Sequence, residues 1–188
     1  MQPTALDVAR FIVQLHDRDA QGGPLTHLRI QKLLYYVQGW HLAAYGEPFF
    51  GDRIEAWKNG PVCPSVWREL NDFGDSPIRA GTVKAAENLA APQKAIVRSI
   101  WEAYKKYSGP DLWQMTHTER PWLITRGELP ESEPCQREIT HHVLADFFTD
   151  QMSAKMAPGL TPERIREVEK NISEGRWVSL ADLRKKIA

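Results

Sequence analysis

The run Ile30-Gln31-Lys32-Leu33-Leu34-Tyr35-Tyr36-Val37-Gln38-Gly39-Trp40-His41, with Thr26 ahead of it and Gly46 behind, decides the fold. Thr26 is a residue type that caps a helix N-terminus and Gly46 one that stops a C-terminus. No proline falls between them, so one long central helix is expected from Thr26 to Gly46. Ile30, Leu33, Leu34, Val37 and His41 share one face of it at helical spacing. Gln31, Tyr35, Gln38 and Leu42 form an adjacent stripe that is polar for so apolar a helix. Gln31 and Gln38 are therefore expected as buried structural amides, hydrogen-bonded to neighbouring loops.

Working outward, Thr4 with Asp7 three residues on is a capping-box arrangement, and Val8, Phe11, Ile12 and Leu15 follow on one face of a first helix. The stretch 47–62 is rich in Gly and Pro, with Arg53-Ile54-Glu55-Ala56-Trp57 as a short strand or extended segment. Pro64-Ser65 opens a short helix through Phe73, and 74–88 read as irregular. Pro92 suits the first turn of a helix running to Tyr107, with Ile96, Ile100, Ala103 and Tyr107 inward and Arg98, Glu102 and Lys105 outward. Ser108-Gly109-Pro110 precedes a short helix from Asp111 to Thr116, and Ile139, Val143 and Phe147, flanked by Leu144 and Phe148, mark a last helix. The expected fold is mainly α: a compact bundle of about five or six helices with a minor extended segment.

That main domain covers residues 1–150, 151–159 read as a linker, and 160–188 as a short C-terminal helical appendage. In the appendage Thr161-Pro162 and Ser179 are helix starts. Ile165, Val168 and Ile172, then Trp177, Leu180 and Leu183, supply apolar stripes too narrow to form a core. Helices this short are marginal alone in water, so these six residues are expected to dock on a partner or on the main domain.

Hydrophobic residues make up 42% and charged residues 26% of the 188-residue chain, enough for one core and short of two. Lys+Arg and Asp+Glu both count 24, so no global field favours nucleic acid or an anionic membrane. Glu163, Glu167 and Glu169 on the appendage would repel phosphates, which argues against a DNA-binding autoregulator. No apolar run approaches the roughly 20 residues that span a bilayer. Met1-Gln2-Pro3-Thr4 lacks a signal peptide's basic start, so a cytoplasmic location is expected. Cys63 and Cys135, far apart and without a C-x-x-C partner, read as two reduced thiols.

The densest side-chain chemistry lies in Thr116-His117-Thr118-Glu119-Arg120-Pro121-Trp122. His117 and Glu119 echo the H-x-E of zinc deaminases, but the partner P-C-x-x-C is missing, and His141 and His142 would diverge by about 100° on a helix. No metal or cofactor site is expected. A Cys63 nucleophile with His41 or His117, or a hydrolase-like use of His117 and Glu119, stays open as an alternative. The physical reading of the run is a local clamp: Thr116 or Thr118 caps and bonds a helix end, His117 donates to a buried carbonyl, Glu119 accepts backbone N–H groups, and Pro121 fixes Trp122. Of 7 tryptophans, Trp40 and Trp101 fit a core by helical position. Trp57, Trp67, Trp113, Trp122 and Trp177 sit beside turns or caps. Trp57, Asn59, Gly60, Pro61 and Trp122 could then form one exposed aromatic and backbone surface, as protein-binding hot spots do.

Three blocks, residues 30–41, Ile54-Glu55-Ala56-Trp57-Lys58-Asn59-Gly60-Pro61-Val62 and 116–122, mix Trp, Gly, Pro, His and Gln in a way helical periodicity alone does not generate. Together they resemble the Panacea domain of SocA-like antitoxins, over roughly residues 1–150. The resemblance implies a non-catalytic protein that binds and neutralises a cognate protein toxin encoded nearby, with Val62 and its block among the contacts. One member of that family is a proteolytic adaptor, which brings in an AAA+ protease as a second partner and delivery as an alternative function.

Overall fold

The computed structural model describes residues 2–86 and 88–155, and the side chains of 154 and 155 are not among the features described. The chain divides into two units, Met1–Thr149 and Asp150–Ala188. Ile165, Val168, Ile172, Trp177, Leu180 and Leu183 lie outside the described residues.

Among the described residues are seven α-helices and one two-stranded antiparallel sheet. They are α1 (Ala5–Arg18), α2 (His27–Tyr45), β1 (Glu55–Trp57), β2 (Gly60–Val62), α3 (Pro64–Leu70), α4 (Ala91–Tyr104), α5 (Gly109–Thr118), α6 (Arg120–Arg126) and α7 (His141–Lys155). The mainly α architecture is the expected one. Thr4 and Asp7 close the capping box of α1, and Thr26 and a left-handed Gly46 bound α2 as the sequence implied. Single 3₁₀ turns at Asn71–Phe73 and Ala80–Thr82 follow α3 and punctuate the irregular stretch.

α2 is the axle of the first unit and packs against α1, α3, α4, α5 and β2. Every residue from Arg29 to Gly39 is buried, so the helix is enclosed on all faces and not on one. Arg29 and Lys32 are therefore fully buried cations. Gly39 creates a notch for the Phe148 ring: a Cβ there would lie 2.0 Å from Phe148 Cε2. Tyr36 stacks on Tyr104 with ring centroids 4.1 Å apart, and the Trp40 indole N–H donates to the Tyr104 hydroxyl at 2.8 Å.

Four expectations need correction. The buried face of α4 is Val97, Trp101 and Tyr104, one residue on from the expected Ile96, Ile100 and Ala103, because the bulky Trp101 and Tyr104 take the seat against α2. Ala103 is exposed, and the helix ends at Tyr104. The short helix expected from Asp111 to Thr116 is longer and is followed directly by another: α5 runs through Thr118, Glu119 is extended at φ −84°, ψ 138°, and α6 begins at once with Pro121 in its first turn. α7 continues through Gln151–Lys155, so a helix enters the stretch read as a linker. Ile139 precedes α7 in extended backbone. Its N–H donates to Ile54 O at 2.8 Å, which ties this segment alongside β1.

Candidate functional site

The hairpin β1–β2 pairs Glu55 with Val62, Ala56 with Pro61 and Trp57 with Gly60, leaving Lys58 and Asn59 as its two-residue turn. Two strands alone are marginal in water. Here the turn is held from outside by side chains. Arg126 donates to Ala56 O at 3.2 Å, the Trp122 indole to Trp57 O at 2.8 Å, and the Lys32 ammonium to Pro61 O at 3.1 Å and to Asn59 O. His117 Nε2 meets Lys58 O at 3.1 Å. Four of the six carbonyls from Ala56 to Pro61 thus accept from a buried donor, and a fifth, that of Lys58, faces a ring nitrogen of His117. Gln31 completes the seam by accepting the N–H of Cys63 through Oε1 at 2.7 Å. Gln38 does the same for the preceding loop, its Oε1 accepting from Phe49 N at 3.0 Å and its amide donating to Phe50 O at 3.0 Å.

Gly60 makes the arrangement possible. Its φ is +89°, and a Cβ there would stand 2.5 Å from Lys32 Nζ and 2.9 Å from His117 Cε1. The polar partners of Lys32 are the backbone carbonyls of Asn59 and Pro61, and burial pushes its ammonium down to about 7. Both His117 nitrogens face carbonyls, Nδ1 meeting Trp113 O at 2.7 Å. Burial, chiefly, and the nearby Lys32 hold the imidazole below the usual histidine range, against the pull of its two carbonyl partners. A ring engaged at both nitrogens is placed to hold backbone rather than to move substrate protons.

The remaining parts of the 116–122 run behave as a clamp with one change of partner. The Thr116 hydroxyl donates to Leu112 O at 3.0 Å, and Pro121 is buried. Glu119 accepts from the Tyr36 hydroxyl at 2.9 Å, where backbone N–H groups had been expected; the α5–α6 corner turns its carboxylate toward α2. Cys63 and Cys135 are free and buried, and burial raises the Cys63 thiol. His117 and Glu119 do not line the surface depressions of about 180 and 250 Å³ that open beside α1. Among the described residues no three His, Cys, Asp or Glu side chains gather as a metal ion would need, and no helix is long and apolar enough to cross a membrane.

Exposure divides the surface expected at 57–62 and 122. Trp122 is 1% exposed, and Gly60, Pro61 and Val62 are buried, so these four hold the hairpin in place and do not form its outer surface. The reason is the indole N–H of Trp122, which needs the Trp57 carbonyl as its buried partner. Lys58 and Asn59 are exposed and Trp57 is half-buried. Its indole N–H is pinned by Glu55 at 2.6 Å and its ring lies 5.3 Å from that of Trp67. Sequence reasoning did not single out Lys32 or Arg126 as donors. The available signal was a lysine inside an otherwise apolar helix, since such a residue must either snorkel out or find carbonyls.

Comparison with known proteins follows the same geometry. The family described as antitoxin SocA-like, Panacea domain, matches residues 30–123, half of the chain, and the chain belongs to that family. Gln31, Lys32, the hairpin, His117 and Trp122 all fall inside the match. The family is described as one of antitoxins. The chain is also 47% identical over 61 residues to the antitoxin SocA of Caulobacter vibrioides (strain NA1000 / CB15N), a stretch covering 32% of each protein. The match thus spans about a third of that relative's length. No solved structure matches.

Proposed function

We propose that this chain is an antitoxin of a toxin–antitoxin system, acting in the cytoplasm, which neutralises a cognate protein toxin encoded beside it by direct binding. The clamped hairpin is the centre of the bound face. The observation that carries the reading is the capture of four hairpin carbonyls by Lys32, Trp122 and Arg126, with His117 facing a fifth. Such capture fixes the exposed Lys58 and Asn59 and the half-buried Trp57 before a partner arrives. A preorganised turn loses little conformational freedom on binding, and a rigid aromatic beside it is the usual anchor of a protein interface. Delivery of the toxin to an AAA+ protease would use the same contact and adds a second partner to it.

The test is a titration of the full chain with the protein encoded by the adjacent gene. Trp57→Ala and Asn59→Ala are expected to weaken binding, the tryptophan by about 2 kcal/mol or more, with little change in melting temperature. Trp122→Ala is expected to cost roughly 3–5 kcal/mol of stability, as deletion of a buried aromatic does. Unchanged affinity in both hairpin-tip variants would remove the hairpin from the interface.

A further inference from the structure

Three of the four large hydrophobic side chains exposed among the described residues lie on two consecutive short helices: Trp113 at 38% on α5, and Leu123 at 45% and Ile124 at 54% on α6. Helix α6 sends Pro121, Trp122 and Arg126 inward, which leaves Leu123 and Ile124 facing out. A single exposed leucine is ordinary on a protein surface; two consecutive exposed apolar residues on α6, with an exposed tryptophan on the helix that leads into it, are a concentration. The two helices are joined through His117, whose ring lies 4.0 Å from that of Trp113 and 4.3 Å from that of Trp122.

The loop that follows α6 gives this patch a sign. Glu128, Glu131 and Glu133 are all exposed. The buried Arg126 guanidinium at the end of α6 donates to the backbone oxygens of Pro130 at 2.7 Å and Glu133 at 2.8 Å. Its hydrogen bonds therefore go to main-chain and not to carboxylate oxygens, and they hold the loop in one conformation. Among the described residues none of the three glutamates forms an ion pair. The same Arg126 guanidinium lies 5.0 Å from the centroid of the Trp122 ring, which is itself 4.3 Å from that of His117, and this ties the loop to the Trp113–His117 stack.

We infer that the α5–α6 corner and the loop after it receive a basic amphipathic segment of the partner protein, its apolar side chains on Trp113, Leu123 and Ile124 and its Lys or Arg residues against Glu128, Glu131 and Glu133. The inference rests on the reading of the chain as a toxin-binding protein and extends the contact beyond the hairpin. Exposed carboxylates on a loop whose backbone is held, beside an apolar patch, select against acidic partners and raise the rate of encounter with basic ones. Neither effect needs any movement of the antitoxin.

The experiment is a titration of the full chain with the protein encoded by the adjacent gene, at low and at physiological ionic strength. Leu123→Ser with Ile124→Ser is expected to weaken binding at least tenfold. Glu128→Lys with Glu131→Lys is expected to do the same and to flatten the salt dependence, both pairs melting as the unaltered chain does. Wild-type affinity in both pairs, with loss in Trp57→Ala, overturns this inference and leaves the antitoxin reading standing. Should the serine pair fail to fold, the charge-reversal pair decides. If the unaltered chain binds nothing from that gene, the antitoxin reading fails, and a synthetic helical peptide of Leu and Lys at amphipathic spacing decides the surface alone. Amide shifts confined to residues 113–133 support it, and shifts elsewhere or none at all overturn it.

Discussion

Lys32 sets the residue-scale physics. A lysine ordinarily titrates near 10.5, and burial brings this one to about 7. Between those values the unfolded chain holds a proton that the folded chain has released. Stability therefore rises with pH across that window, with a slope approaching about 1.4 kcal/mol per pH unit from this one group. Below about pH 7 the group is protonated in both states and contributes no slope. Opposing contributions begin higher up, because Cys63, Tyr35, Tyr36 and Tyr104 are all raised by burial and keep their protons longer when folded. The window from pH 7 to 8.5 is thus the clean one. Denaturant unfolding of wild type and Lys32→Met across it should show a positive slope that the variant lacks; equal slopes would mean that the ammonium is not buried as described. The glutamines of α2 were legible as buried structural amides because amides in an apolar stripe must find backbone partners. Lys32 was harder to read because long side chains usually reach water, and only the three-dimensional enclosure of α2 shows that this one does not.

At the scale of elements, α2 was read correctly in its caps and length but not in its burial. Periodicity identifies one apolar face, and it cannot reveal that four helices and a strand enclose the others. Gly39 shows the consequence. Helix propensity alone predicts that Gly39→Ala stabilises by about 1 kcal/mol. Packing predicts the reverse, since the new methyl would lie 2.0 Å from Phe148, itself 1% exposed. Overpacking costs typically about 1–3 kcal/mol, so a lowered melting temperature is expected, and a raised one would contradict the α2–Phe148 contact. The α5–α6 corner was missed because Glu-Arg-Pro reads as a break. It is one, but a single extended residue suffices for it, and Pro121 serves the next helix as its first turn. The inward turn of Trp122 follows from that corner and explains why an aromatic beside a turn proved to be core.

For the whole molecule, the proposed division is a folded antitoxin domain in residues 1–150 and a tail in 160–188 that docks on the toxin or on the main domain. Truncation after Gly159 is expected to leave the melting curve of the remainder within a few degrees of wild type and to weaken toxin binding. A truncated chain that does not fold would make the tail part of the core, and unchanged affinity would make it irrelevant to the partner. The fold class and the three blocks were legible in the sequence because caps, prolines and tryptophans mark element ends. The meeting of Trp122 with the hairpin was anticipated, but that of Lys32 and His117 was not, since they stand more than eighty positions apart and meet only at Gly60. Direct neutralisation is the central claim, and it is tested most directly by assaying the purified protein encoded by the adjacent gene with and without the purified antitoxin, in the absence of ATP and protease. The account predicts that a stoichiometric amount of wild-type chain abolishes the toxin's activity and that Trp57→Ala does so only in excess. A toxin that stays fully active until an AAA+ protease and ATP are added would contradict it and make the chain a delivery adaptor.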